Sequence, residues 1–130
     1  KKRPYLMDKK FLLKYGFKTV DVIKDEYELL ALSFNGEKPY FSEKVKEMKI
    51  DNKELTIYYT LQCPYVLNCI KEVTEYCSRN NILLSLKIVD TLEKAKNLPC
   101  IFNNWAVFYN GKYETNHLLN ETFLKKKFQL

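Results

Sequence analysis

The 130-residue chain has no apolar run approaching the ~18 to 20 residues that span a bilayer, which excludes a membrane-spanning helix. The basic start Lys1-Lys2-Arg3 is followed by no apolar stretch, so no signal peptide is predicted. Its three glycines, Gly16, Gly36 and Gly111, lie too far apart to build a phosphate-cradling loop. Only Arg3 and Arg79 among the 22 basic residues are arginine, the residue whose fork reads phosphates and bases. The net charge of +6 is also spread thinly, with 12 basic and 8 acidic residues from Lys1 to Ile50 and 10 and 8 beyond. A nucleic-acid partner is therefore not expected.

Metal-ligand spacing is missing too. There is one histidine, His117, and no Cys-x-x-Cys pair. A zinc site would have to be assembled from Cys63, Cys69, Cys100 and His117, a spacing that fits no common zinc motif. His117 reads instead as a surface or strand-end residue. No paired carboxylates stand out, and Asp25-Glu26 falls in a turn. The four cysteines, Cys63, Cys69, Cys77 and Cys100, occur without secretory features. That suits reduced thiols in a cytoplasmic protein better than a disulfide scaffold. The chain opens on Lys1 rather than Met and is expected to be a piece of a longer protein.

What is present is ample apolar material, 46% hydrophobic and 15% aromatic, in two segments of different character. In the first, Asp8 can cap a short helix through Tyr15, with Phe11, Leu12 and Tyr15 on one face and Gly16 closing it. Thr19 to Ile23 alternates as a strand, Lys24-Asp25-Glu26 turns, and Tyr27 to Phe34 is a second strand. That second strand is apolar on both faces, as in the interior of a larger sheet. Residues 36–53 read as a connector, with a break at Pro39 and a polar, helix-compatible stretch from Ser42 to Lys49.

The second segment, 54–130, is predicted to run β-α-β-α-β-β-α. Leu55 to Tyr59 is a strand, and Cys63-Pro64 follows it. Tyr65 to Asn80 is helical, with Val66, Ile70, Val73 and Cys77 along one face. Leu83 to Val89 is a strand, Thr91 to Asn97 a short helix, and Leu98-Pro99 a break. Trp105 to Tyr109 and Lys112 to Thr115 form a hairpin across Asn110-Gly111, a dipeptide favouring a two-residue type I′ turn. Asn120 caps a last helix to Phe128. A parallel pair joined by a helix, followed by a hairpin, gives a mixed α/β sheet covered on both faces.

This order, with Cys-Pro after the first strand and a proline before the hairpin, resembles the thioredoxin-like superfamily. The resemblance puts Cys63 at the start of the first long helix, where backbone N–H groups and the helix dipole favour a thiolate. Cys63 is thus the candidate reactive thiol and is expected to be the one cysteine with a lowered pKa. Pro64 would support it in the first turn. By the same resemblance Pro99 would be a cis proline opposite the thiol. The dithiol pattern is absent, because Val66 stands three residues after Cys63. Six residues on a helix rise ~9 Å and turn ~240°, so Cys69 should not reach Cys63 if both lie on the helix; pairing of Cys63 with Cys100 across the proline loop stays open. Cys69, Cys77 and Cys100 read as small hydrophobes buried in the core, and the alternative role for Cys63 is a structural residue at the helix start.

The segments Tyr59-Thr60-Leu61-Gln62-Cys63-Pro64-Tyr65, Leu98-Pro99 and Phe108-Tyr109-Asn110-Gly111-Lys112-Tyr113-Glu114-Thr115 resemble YoaP-like proteins. These join a GNAT-type N-acetyltransferase domain to a small thioredoxin-like domain. Upstream, Phe11 to Asp21 is similar to the closing helix and strand of a GNAT fold. The resemblance implies three parts: a GNAT remnant at 1–35, a linker at 36–53 and a thioredoxin-like domain at 54–130. Acetyl-CoA is implied as cofactor for the parent protein. Its Gln/Arg-x-x-Gly-x-Gly/Ala loop is not in this chain, so no cofactor is expected in this fragment. The expected partners are the N-terminal GNAT domain and a protein or small-molecule acceptor. Three functions follow: an accessory or substrate-binding domain of an acetyltransferase, a thiol-dependent redox enzyme using Cys63, or an interaction module without chemistry.

Overall fold

The computed structural model describes residues 7–128; the basic Lys1-Lys2-Arg3 start lies outside them. The chain divides into two units between Lys46 and Glu47.

The first unit holds α1 (Lys9–Lys14), β1 (Lys18–Ile23), β2 (Tyr27–Ala31) and the start of α2 (Glu43–Glu47). Asp8 caps α1 by accepting the Lys10 N–H at 2.8 Å, and the helix ends at Gly16, whose φ of +91° suits glycine. β1 and β2 pair antiparallel, with a bulge between Thr19 and Asp21. β2 stops at Ala31, short of the predicted Phe34. The reason is pairing: Lys18 opposite Ala31 is the last pair, and beyond it β1 gives way to the turn that closes α1. Phe34 is consequently 93% exposed and Tyr40 80%, while Ile23 is buried.

The Asp21 carboxylate fastens the segment after β2 to this hairpin. It accepts the Phe41 N–H and its neighbour Val22 N–H, each at 2.8 Å, and meets the Lys46 ammonium at 3.2 Å. Hydrogen bonds from Phe41 and Val22, then the Lys46 charge, hold its pKa below the ordinary carboxylate value.

The second unit holds β3 (Leu55–Tyr59), α3 (Val66–Arg79), β4 (Leu84–Ile88), α4 (Leu92–Lys96), β5 (Trp105–Tyr109), β6 (Lys112–Thr115) and α5 (Glu121–Phe128). The strands form one mixed sheet in the order β4-β3-β5-β6. β3 and β4 are parallel, bridged by α3, while β5 runs antiparallel to both β3 and β6. Successive side chains of β5 point to opposite faces, and each face has its own core. Trp105 and Val107 join Leu55 and Ile57 against Val66, Cys69, Val73, Tyr76 and Cys77 of α3 and Leu124 of α5. Ala106 and Phe108 join Met48 and Cys100 on the other face, with Ile50, Tyr58, Phe102 and Tyr113 around them.

That second face is covered by chain segments rather than by a well-buried helix; α4 buries no side chain. Part of the cover comes from 48–53, residues read from the sequence as connector. Tyr113 N–H donates to the Met48 carbonyl at 3.3 Å, Ile50 N–H to the Gly111 carbonyl at 2.9 Å, and Asn110 N–H to the Lys53 carbonyl at 3.0 Å. Every peptide bond among the described residues is trans. Leu98–Pro99 therefore departs from the cis geometry that the thioredoxin-like resemblance implies, and takes the ordinary X–Pro form.

Asn110 and Gly111 both have positive φ, +51° and +78°, as the predicted hairpin turn requires. A Cβ on Gly111 would meet the Ile50 carbonyl oxygen at 2.7 Å. Gly111→Val should destabilise the second unit by at least ~1 kcal/mol, read as a lower urea midpoint. An unchanged midpoint would refute the turn and the docking of Ile50 on it.

Because the folded pKa of Asp21 is depressed, its contribution is present above the unfolded value of about 4 and fades as pH falls through the folded one. The Phe41 amide should lose exchange protection as pH drops below about 4. In Asp21→Leu, which leaves no acceptor, that protection should be low at every pH. Equal protection in the two proteins, measured by NMR, would contradict the clasp.

Candidate functional site

The loop from Thr60 to Tyr65 carries the chain from the end of β3 into α3. Its start is pinned by Thr60 N–H, which donates to the Asn104 carbonyl at 3.0 Å, next to the Tyr59–Trp105 pair of the sheet. Its end is pinned where Val66 N–H reaches back to the Cys63 carbonyl at 3.2 Å. Tyr65 is the N-cap of α3 and gives no side-chain cap bond, so this helix start is not closed by a side chain. Cys63 thus lies just outside the first turn. Pro64 sits in the turn between Cys63 and Tyr65, ahead of the helix proper.

The four cysteines are all free, and the two faces of the sheet sort them. Cys63 is half-buried against the α3-side core, beside the cluster that contains Trp105. Cys69 and Cys77 lie within that core. Cys100 belongs to the other face, next to the buried Pro99. Cys63 and Cys100 thus pack in different clusters, and both are free thiols. Cys69 lies along α3 from Cys63, its thiol turned to the Leu119 carbonyl at 3.3 Å.

Burial raises the thiol pKa of Cys69, with the Leu119 carbonyl bond opposing it and Glu72 adding to it. Burial alone raises that of Cys77. Cys100 is pushed up to about 11 by burial, against a weaker opposing bond to the Phe102 carbonyl. The buried Cys100 also raises the Tyr58 hydroxyl, after the larger effect of burial itself. These three thiols are held protonated and packed.

Two features around Cys63 were not singled out in the sequence. The first is an apolar rim: Leu61, Tyr65 and Leu67 are 57%, 69% and 63% exposed. Leu67 could have been found from its phase, since it falls off the Val66–Val73–Cys77 stripe of α3. The second is Trp105, whose indole Nε1 is buried with no hydrogen-bond partner, in the cluster against which Cys63 packs. Nothing in the local sequence signals an unspent donor. His117 is exposed beyond β6, its N–H donating to Thr115 Oγ1 at 3.1 Å. Among the described residues no group of His, Cys, Asp and Glu is placed to hold a metal ion. Among them, too, no helix is long and apolar enough to cross a membrane.

Comparison with known proteins gives a consistent picture. A YoaP-like family profile matches residues 84–126, from β4 into α5. No solved structure matches. Over 122 residues, 92% of this chain, it is 33% identical to the uncharacterized N-acetyltransferase YoaP of Bacillus subtilis (strain 168). The chain spans 49% of that protein's length, about half.

Proposed function

We propose that this chain is the C-terminal part of a GNAT-family N-acetyltransferase, in which the second unit is a thioredoxin-like accessory domain that binds a partner or acceptor. The observation carrying this reading is the match, along 92% of the chain, to an N-acetyltransferase of which it spans only 49%. Two structural features support it. The strand order β4-β3-β5-β6, with a parallel pair bridged by α3 and a closing hairpin, agrees with the mixed sheet that the thioredoxin-like resemblance leads us to expect. In the first unit, a two-stranded sheet and a six-residue helix with no buried side chain leave Phe11, Tyr15, Phe34 and Tyr40 exposed. A hairpin alone is marginal in water, so such a surface calls for a covering domain. The half of the relative that this chain does not span is the candidate for it.

On this reading acetyl transfer belongs to the parent protein, because the loop that would cradle the acetyl-CoA pyrophosphate is not in this sequence. Calorimetric titration of the chain with acetyl-CoA should give no measurable heat of binding. A dissociation constant in the micromolar range would overturn both the accessory role and the assignment of the first unit.

The second reading, a thiol-dependent activity, is favoured by one observation: Cys63 alone of the four cysteines is not buried. Attack requires an ionised and accessible sulfur. With a pKa of about 11, Cys100 would be ionised in roughly one molecule per thousand at pH 8. Alkylation with iodoacetamide, followed site by site in peptide mass spectra, should label Cys63 tens of times faster than the other three. If Cys63 reacts no faster than Cys100, thiol chemistry falls and the scaffold role stands alone.

A further inference from the structure

We propose that β4 is the contact strand of a two-fold dimer of this chain, pairing antiparallel with β4 of a second copy about Leu86. β4 stands at the end of the sheet order β4-β3-β5-β6, so only one of its edges is occupied. The ladder to β3 decides which groups face the open edge. The Leu83 carbonyl accepts the Leu55 N–H at 3.2 Å, and the Val89 N–H donates to the Tyr59 carbonyl at 2.7 Å. Along a strand the backbone groups alternate between its two edges. Leu83, Ser85, Lys87 and Val89 therefore turn inward, and Leu84, Leu86 and Ile88 turn their N–H and C=O outward. Among the described residues no hydrogen bond is made to these outward groups.

The opposite end of the sheet is closed. Residues 48–50 lie along β6, with the Tyr113 N–H on the Met48 carbonyl and a bridge between Lys49 and Lys112. β6 also carries the charges of Lys112 and Glu114, and its pairing with β5 is bulged. Charges, bulges and covering segments are the ordinary protections of an edge strand. β4 has a regular ladder and a single charge, Lys87. Leu84, Leu86 and Ile88 share the α3 side of the sheet, opposite Leu55, Ile57 and Tyr59. Leu86 is 36% exposed although Ile57 beside it is fully buried, and Leu83 is 69% exposed.

The strand's own pattern selects the occupant. An antiparallel partner must set outward groups against outward groups. With the axis at Leu86, Leu86 faces its own copy and Leu84 faces Ile88, so every outward group of β4 is used. An axis perpendicular to the sheet keeps faces, and the apolar row continues from one copy to the next. Lys87 then meets Ser85 of the second copy. An axis at Lys87 would oppose two ammonium groups, and one at Ser85 would pair Ile88 with Ile82, outside the strand. The edge is thus self-complementary, as an isologous contact demands. The argument rests on the sheet alone and is independent of the acetyltransferase reading.

The test is sedimentation equilibrium of the 130-residue chain over a range of concentrations, where a monomer–dimer equilibrium is expected. Leu86→Lys sets two ammonium groups against each other at the axis and should leave a monomer, as should Leu86→Glu. Mixing those two variants should restore a dimer with one of each, a rescue that mere misfolding would not allow. Ser85→Glu, which puts a carboxylate opposite Lys87 of the second copy, should tighten the dimer about tenfold. High salt should remove that gain. A chain that stays monomeric up to NMR concentrations would overturn the dimer and leave the edge to a strand of another protein. A dimer unchanged by both Leu86→Lys and Ser85→Glu would overturn it equally.

Discussion

The second unit depends on one constraint: β5 is a central strand that must be apolar on both faces. Trp105, Ala106, Val107 and Phe108 are each at most 5% exposed. A strand in that position needs a partner on each edge and a cover on each side. β3 and β6 supply the edges, α3 and α5 cover one side, and the chain around Met48, Ile50 and Cys100 covers the other. The Asn110-Gly111 turn brings β6 back against β5, and its Gly111 carbonyl also receives the segment that closes the second face. A single turn therefore ties an edge strand and a core layer together.

Features encoded within a few residues were legible in the sequence. The hairpin follows from Asn110-Gly111, which tolerates positive φ at both positions, and its strands were found at the observed bounds, Trp105–Tyr109 and Lys112–Thr115. The side-chain caps at Asp8 and Asn120 were also local; Asn120 Oδ1 accepts the Phe123 N–H at 2.8 Å. What was missed depends on distant neighbours. The early end of β2 is set by where β1 begins, and the role of 48–53 by a hairpin some sixty residues later. The α3 stripe was read as Val66, Ile70, Val73 and Cys77. Cys69, read as buried, is so, its thiol on the Leu119 carbonyl, whereas Tyr76 was not placed on the buried face.

The candidate site was legible in part for the same reason. That Cys63 precedes a long helix is a local fact, and the structure places it just ahead of α3. Whether it can meet Cys100 is a question of which sheet face each residue serves. Residues neighbouring along β5 serve opposite cores, and the two cysteines pack in different ones. The face that carries Cys63 also carries Trp105 with its unspent N–H. The face that carries Cys100 is dry enough to raise both its thiol and the Tyr58 hydroxyl.

Placed side by side, the exposed and buried groups suggest how such a domain can keep a shape while changing its chemistry. Three thiols are fixed by packing, so replacing them would open cavities in the core regardless of any reaction. Cys63 is only half-buried and sits in a loop held at both ends by backbone bonds, Thr60 to Asn104 and Val66 to Cys63. Those bonds do not involve its sulfur. The loop geometry thus depends less on the side chain at position 63 than the core does on Cys69, Cys77 or Cys100. A half-buried thiol on such a loop can be altered or lost at less cost to the fold than a thiol inside the core. A change in reactivity at Cys63 and a change in stability of the sheet are therefore separable quantities in this protein.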